Sequence, residues 1–365
     1  MSATAPEPLR LGIVGCGSIA QAHAAALRFL TDDGLVRVTA AADPDPEGVA
    51  RVVRILGAVE HTGSDCMAVI DNPDVDAVVN ITPTRFHRDY VAAIARAGKP
   101  CFTEKPLAPT FDVVCDIVKI VRDSGIPAQV GFQSRFHPLI RRLRAMVESA
   151  EVGAPMAYTL RDDQFWPTGG VVAGHSSWRS ERAEAGGGAL LEHSIHSCDI
   201  LGWLFGPVER VYATTRRVFG YSVEDVAALT IEHANGVVGN LVTVFNGVQH
   251  REERRLEVFF ERGAVEVTTD FLVGAREDGF LVQRPDQEPE RLDVTALRDR
   301  HFAAAGIERR DFFVYLYPAA RAFTRSVRAK QPASPTFADA LNAHALVDAA
   351  YRSVDGKTAA AVDLP

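Results

Sequence analysis

The chain has no apolar run long enough to cross a bilayer and no low-complexity tract. Its opening, MSATAPEPLR, has neither the basic start nor the apolar core of a secretory signal, and the first eight or so residues read as a loose tail. Cysteine is scarce: Cys16, Cys66, Cys101, Cys115 and Cys198 are odd in number and share no CxxC spacing. That excludes a disulfide framework or zinc ribbon and points to reduced thiols in a cytoplasm. Positive charge is not in excess either, with a formal net charge of −8. Nucleic-acid phosphates require a dense basic face, so nucleic acid is not an expected partner, and neither is a membrane. The one basic stretch, HREERR at 250–255, alternates in sign and reads as a solvated strand edge or loop. What remains is a soluble globular chain whose 365 residues exceed one ordinary core, so two domains are expected.

Residues 9–130 repeat one rhythm of short apolar run, glycine- or proline-marked turn and helical pattern. Strands are expected at 9–15, 36–43, 75–83, in KPCFTEKP and at 127–132, with helices at 18–30, 46–57, 86–98 and 111–125 between them. Such alternation builds right-handed βαβ units and a parallel sheet covered on both faces. After Phe132 the pattern changes. A helix over 138–150 leads into MAYTLRDDQF (156–165) and a glycine-rich loop, and a further helix covers roughly 188–205. Long strand-like runs then follow one another, with a hairpin turn at Asn235-Gly236, which suggests an antiparallel sheet. Helices near 309–329 and 337–354 close the chain. The expectation is an α/β Rossmann domain over 9–132, then an α+β domain over 133–365, with a cleft between. The aromatic residues of VFF (258–260) are expected in the sheet core.

Gly15-Cys16-Gly17-Ser18-Ile19-Ala20 follows a strand and opens a helix. Gly15 permits the tight turn, Gly17 lets a pyrophosphate approach the backbone, and Ala20 is small enough to replace the third glycine of GxGxxG. The helix start offers free N–H groups and a positive dipole to phosphate. Asp43 ends the second strand, where an acid can accept both hydroxyls of the adenosine ribose and would repel a 2′-phosphate. Pro44, Asp45 and Pro46 beside it offer no arginine to receive one, so NAD is expected over NADP. Without the glycine motif, Asp43 would read equally well as a turn residue.

Three further motifs occur in order: Thr82-Pro83 with His87, then AGKPCFTEKPLA containing Glu104-Lys105-Pro106, then GGGALLEHSIHSCD from Gly186 to Asp199. Together with the glycine loop, they resemble the glucose–fructose oxidoreductase / inositol dehydrogenase (Gfo/Idh/MocA) family along nearly the whole chain. The resemblance departs at Glu192, where the family usually has aspartate, and at Ser194, where it usually has glycine. It implies that Gly15, Gly17, Ser18, Ile19, Asp43, Thr82, Pro83, His87, Glu104 and Lys105 serve the cofactor. Trp178 and Arg179 are implied on the substrate or nicotinamide side, and a homodimer or homotetramer pairs through the exposed face of the second sheet.

Oxidising an alcohol requires a base for the hydroxyl proton, and histidine titrates in the useful range. On one helix, Glu192 and His196 would stand at i and i+4, one turn apart, and Asp199 at i+3 from His196 could pair within that helix. Pro106 biases Lys105 away from helical geometry and holds it extended. Lys105, His196 and Glu192 are therefore the candidate catalytic residues, with Gln133, Trp178, Arg179, Glu192 and His196 as candidate substrate contacts. His193 and His196 lack a third ligand, so no metal site is expected. The activity expected is NAD-dependent oxidation of a secondary hydroxyl on a sugar, cyclitol or related polyol. The alternatives are an NAD-using glycoside hydrolase without net redox change and a non-catalytic dinucleotide-binding regulator.

Overall fold

The computed structural model describes residues 7–165, 177–248, 253–269, 278–304 and 316–365. Over the first third, apolar runs and helical patterns become β1 (Leu9–Val14), α1 (Ser18–Asp32), β2 (Val36–Ala42), α2 (Pro46–Leu56), β3 (His61–Gly63) and α3 (Cys66–Asp71). They continue as β4 (Ala77–Asn80), α4 (His87–Arg96), β5 (Cys101–Thr103), α5 (Phe111–Ser124) and β6 (Ala128–Val130). The six strands run in the order β3-β2-β1-β4-β5-β6, and every pair is parallel. All of β4, β5 and β6 is buried, as strands covered by helices on both faces must be. The order reverses between β1 and β4, so the turns that follow them flank the crevice where wound sheets bind ligands. Helix starts obey local chemistry: Asp45 accepts the Glu47 and Gly48 N–H groups, and Pro46 sits at the first position of α2.

The remaining chain forms α6 (Pro138–Ser149), β7 (Pro155–Phe165), α7 (Arg182–Ala185), a π-helical turn over Ala189–His193, and α8 (Ile195–Phe205). After these come β8 (Val208–Arg216), β9 (Val226–His233), β10 (Val238–Asn246), β11 (Glu253–Phe260), β12 (Gly263–Thr269), β13 (Gly279–Gln283) and β14 (Glu290–Arg291). The last elements are α9 (Val294–Ala304), α10 (Leu316–Ala329), α11 (Phe337–Gly356) and β15 (Ala360–Ala361). The nine strands order as β14-β13-β12-β11-β7-β10-β9-β8-β15. All of these neighbours are antiparallel except β7 and β10. Strict alternation along β9 and β10 leaves one face packed, with Leu229, Ile231, Leu241 and Phe245 buried, and one face open. Tyr158 stacks on Phe205 at 4.8 Å beneath the packed face.

The structure differs from the sequence expectation in three places. The chain divides into two compact units, Met1–Gln133 with Phe313–Ala340, and Ser134–Phe312 with Leu341–Pro365, where 133–365 was expected to be continuous. The reason is α10, whose apolar stripe covers the first unit: Phe323 meets Phe102, and the Tyr317 hydroxyl donates to Asp33. That helix was expected from about 309, and residues 305–315 lie outside those described. Second, Phe259 is 37% exposed although Val258 and Phe260 are buried, because period-2 alternation turns it to the open face. Third, β3 and α3 were not expected: β3 (HTG) carries no apolar side chain, and α3 (CMAVID) is apolar but at six residues too short to show a helical period. Residues 1–6 of the expected tail and 249–252 of the basic stretch also lie outside the described residues. No described helix is long and apolar enough to cross a membrane.

Candidate functional site

In the first unit the glycine loop is built by close approach. Gly15 has φ +90°, and a Cβ there would lie 2.6–2.7 Å from the backbone of Ile81 and Thr82, so no other residue fits. A Cβ at Gly17 would meet nothing within 4 Å. Directly beyond it, α1 starts at Ser18 with Ile19 and no side-chain cap. Uncapped N–H groups facing open space are what a pyrophosphate requires, so these residues fit a dinucleotide. Asp43, at the end of β2, is half-buried, and its carboxylate accepts N–H groups from Cys16 and Asp45, both at 2.7 Å. Arg51, unnoticed in the sequence, reaches Asp45 at 3.1 Å and is also paired with Glu47. Burial first, then the Asp43 charge, push the Cys16 thiol up to about 12, so this cysteine is a packing residue and not a nucleophile.

The turn after β4 is tied to itself. The Thr82 hydroxyl donates to Asn80 Oδ1 at 2.8 Å, and buried His87 Nε2 donates to the Thr82 carbonyl at 2.8 Å. Burial lowers the His87 pKa, so the ring is neutral and braces the Thr82-Pro83 turn. After β5, Glu104 is buried, and its oxygens accept from His23 Nε2 at 2.7 Å and from the Lys105 N–H at 3.0 Å. Burial pushes this carboxyl up, but His23 and Lys105 outweigh it and hold the pKa below the usual range. Both Glu104 oxygens thus have partners within the protein, and each keeps a lone pair for a further donor. The Lys105–Pro106 peptide is cis. Gln133, the last residue of this stretch, is buried, and its Oε1 has no hydrogen-bond partner.

In the second unit the triple glycine is a packing device. A Cβ on Gly187 or Gly188 would come within 2.0 Å of the Tyr351 hydroxyl or the Glu224 carbonyl oxygen, respectively. Glu224 accepts from the Gly188 and Leu190 N–H groups at 2.9 and 3.0 Å, and from Tyr351 at 2.9 Å, capping the turn that follows. That turn is π-helical: the Ser194 N–H donates to the Ala189 carbonyl five residues back at 2.9 Å, and α8 starts only at Ile195. Glu192 and His196 therefore do not stand on consecutive turns of one α-helix, which corrects the sequence expectation. Glu192 Oε1 instead accepts from Arg179 Nε at 2.6 Å, and the Arg179 guanidinium lies 4.7 Å from the Trp178 ring centre. His196 is fully buried.

Asp199 has an ion pair outside its own helix. It binds Arg135 through two hydrogen bonds at 2.7 and 2.5 Å. Asp162, on β7, is the hub beneath the motif. It accepts from His193 at 3.0 Å, Ser194 at 2.9 Å, Ser197 at 2.5 Å and Arg254 at 3.2 Å. Burial opposes its charge, yet Arg254 and His193 hold its pKa far below the ordinary value. His193, weighed as a metal ligand in the sequence, is spent on this carboxylate. His23, Asp162, Glu224 and Arg135 were not singled out in the sequence. Arg254 belongs to the stretch expected to be solvated, whereas Glu253 and Arg254 are buried in β11 between β7 and β12. The visible signals were a histidine inside an alanine helix and an acid pair inside a strand.

Comparison with known proteins agrees with this architecture. Residues 9–132 match a family model described as "Oxidoreductase family, NAD-binding Rossmann fold", and residues 140–266 match the "GFO/IDH/MocA C-terminal domain". An inositol 2-dehydrogenase of Rhizobium meliloti (strain 1021) is 28% identical over 365 residues, covering 96% of this chain and 98% of that protein. A scyllo-inositol 2-dehydrogenase (NAD(+)) of Bacillus subtilis (strain 168) is 27% identical over 306 residues, covering 81% of this chain and 85% of that protein. Among solved structures, levoglucosan dehydrogenase in complex with NADH and L-sorbose superposes with a TM-score of 0.87 at 23% identity. It covers 99% of this chain and 100% of that one, a likeness of fold. Because the two family models together span more than half of it, the chain belongs to the GFO/IDH/MocA family of NAD-binding oxidoreductases.

Proposed function

We propose that the protein is an NAD-dependent dehydrogenase that oxidises a secondary hydroxyl of a sugar, cyclitol or related polyol. The observation that carries this reading is the place of Lys105 directly after β5. It lies at the same carboxyl edge of the sheet as a β1–α1 turn fitted to a pyrophosphate. Relatives named for inositol oxidation support the substrate class. NAD, when bound, supplies the hydride acceptor. The Gly15–Ile19 loop holds its phosphates, Asp43 accepts the ribose hydroxyls and disfavours a 2′-phosphate, and the Thr82-Pro83 turn braced by His87 lines the dinucleotide site.

Lys105 Nζ hydrogen-bonds the reacting hydroxyl oxygen and favours its deprotonation, and His196 takes the proton. Glu192, oriented by Arg179, accepts a substrate hydroxyl, with Trp178 and Gln133 as further contacts. The protein works as a homodimer or homotetramer through the open face of its second sheet. That face carries Tyr212, Val238, Val242 and Phe259, all at least 37% exposed.

The test is a panel of polyols and sugar derivatives followed by NADH absorbance, with NADP alongside. Net NADH formation with a polyol is expected, and Lys105→Ala should bind NAD yet lose roughly a hundredfold or more in turnover. Release of an aglycone without NADH would point to a hydrolase. Near-normal turnover in Lys105→Ala would remove the lysine from the chemistry.

A further inference from the structure

A buried histidine next to a buried carboxylate is expensive unless the pair does something, and the pair His23–Glu104 has no part in the chemistry just described. His23 lies on α1, the helix whose first turn forms the dinucleotide loop, and Glu104 lies between β5 and Lys105. Their relative exposures are 3% and 5%, so neither charge is solvated. An ionised carboxylate can only accept, so His23 Nε2 is the donor in their 2.7 Å bond. The second carboxylate oxygen accepts the Lys105 backbone N–H at 3.0 Å. Phe102 meets the imidazole edge-on with ring centres 5.4 Å apart, which fixes the ring plane. The carboxylate packs against Gly131, where a Cβ would lie 2.8–2.9 Å from its three terminal atoms, so only glycine leaves room for it there. The result is a rigid strut from the loop helix, through one side chain, to the main chain that carries the lysine.

We propose that His23 is a positioning residue for Lys105: through the Glu104 carboxylate it fixes the backbone from which the ammonium reaches the substrate. The inference rests on the reading of Lys105 as the group that holds the reacting hydroxyl. It adds a residue that the motif comparison did not single out, and it ties occupancy of the nucleotide loop to the geometry of the lysine within one unit. Loss of the strut leaves Glu104 buried with one donor fewer, so the carboxylate turns and takes the Lys105 N–H with it. Misplacing a catalytic group by about an ångström costs up to roughly a hundredfold in rate.

The experiment compares His23→Leu, which keeps bulk and loses the donor, with His23→Gln, which keeps an N–H donor. On the best polyol of the panel, His23→Leu should lower kcat roughly tenfold to a hundredfold, with substrate KM and NAD Kd within about threefold of wild type. His23→Gln should restore most of the turnover. In a Lys105→Ala background, His23→Leu should cost nothing more, since it acts only through the lysine. Gly131→Ala, which presses on the carboxylate from the other side, should reproduce the kcat defect even if His23→Leu does not fold. Equal defects in Leu and Gln variants, a wild-type kcat in His23→Leu, or a further loss in the double variant would each overturn the proposal. A Lys105→Ala variant with normal turnover would instead sink the lysine reading itself, and that result needs no His23 variant.

Discussion

Removing the Asp162 carboxylate is the sharpest probe of what holds the histidine motif in place. Four donors converge on it: the His193 ring, the Ser194 and Ser197 hydroxyls and the Arg254 guanidinium. Side-chain exposure is 2% for Asp162 and 7% for Arg254, so Asp162→Ala leaves a guanidinium in the interior without its carboxylate. Breaking one side of such a buried pair costs about 3–5 kcal/mol, against about a kilocalorie or less for a surface pair. At about 2–4 °C per kcal/mol for a unit of this size, the midpoint should fall by roughly 6–20 °C.

All three tryptophans, Trp166, Trp178 and Trp203, belong to the Ser134–Phe312 stretch, so thermal unfolding followed by tryptophan fluorescence reports this unit selectively. Replacing both partners with apolar residues, Asp162→Leu with Arg254→Met, should cost less than the sum of the single changes. The linkage has a definite sign. Asp162 has a folded pKa below its unfolded value of about 3.9, so its contribution is complete above that value and is lost as pH falls below it. A midpoint shift under about 2 °C for Asp162→Ala would refute the reasoning, because it would mean water already solvates the cluster.

Other expectations follow from the same geometry. Asp43→Ser should erode the preference for NAD over NADP in calorimetric titration, and a wild type that prefers NADP would displace Asp43 from the ribose. Glu192→Gln keeps the shape but weakens the acceptor facing Arg179, so turnover should drop while NAD affinity holds; unchanged kinetics would reduce Glu192 to a structural ion pair. Gly188→Ala puts a methyl group 2.0 Å from the Glu224 carbonyl oxygen, so it should destabilise the second unit while leaving NAD binding by the first intact. Val238→Glu with Val242→Glu places charge on the open face of the sheet and should lower the mass measured by light scattering; an unchanged mass would place the oligomer contact elsewhere.

What was legible in the sequence was local. Five of the six Rossmann strands announce themselves as apolar runs, and the glycine loop carries its own spacing, so all of the first sheet but β3, and its nucleotide turn, could be placed. The hairpin at Asn235-Gly236 was equally plain, with Gly236 at φ +88°. What could not be read is what depends on partners far along the chain. Arg254 meets Asp162 across 92 residues, and Tyr351 meets Glu224 across 127, and no periodicity encodes such meetings. Glu192 and His196 show a subtler limit. Their spacing is that of an α-helix, but the turn that holds Glu192 is π-helical, with one residue of extra winding before α8 begins. His23 was hidden by composition, since a histidine among alanines looks like a tolerated exception until its carboxylate partner is known.

The return of Phe313–Ala340 to the first unit also bears on the order in which the chain can be made and folded. Gln129 donates to the Ala319 carbonyl at 3.0 Å, the Val130 N–H to the Pro335 carbonyl at 3.0 Å, and Arg328 to the Leu35 carbonyl at 2.9 Å. None of these acceptors or donors beyond Ala319 has been synthesised when the nascent chain has passed Gln133. The nucleotide-binding half therefore emerges with an apolar flank on α1 and Phe102 uncovered, and it stays open while the ribosome adds roughly two hundred residues, tens of seconds at typical elongation rates. The second unit meanwhile needs Leu341–Pro365 to complete its own sheet through β15 and to bring Tyr351 to Glu224. The first unit can close only once Phe313–Ala340 has appeared and the second only once Leu341–Pro365 follows, so a chain cut just after Ala340 completes the first and leaves the second unfinished.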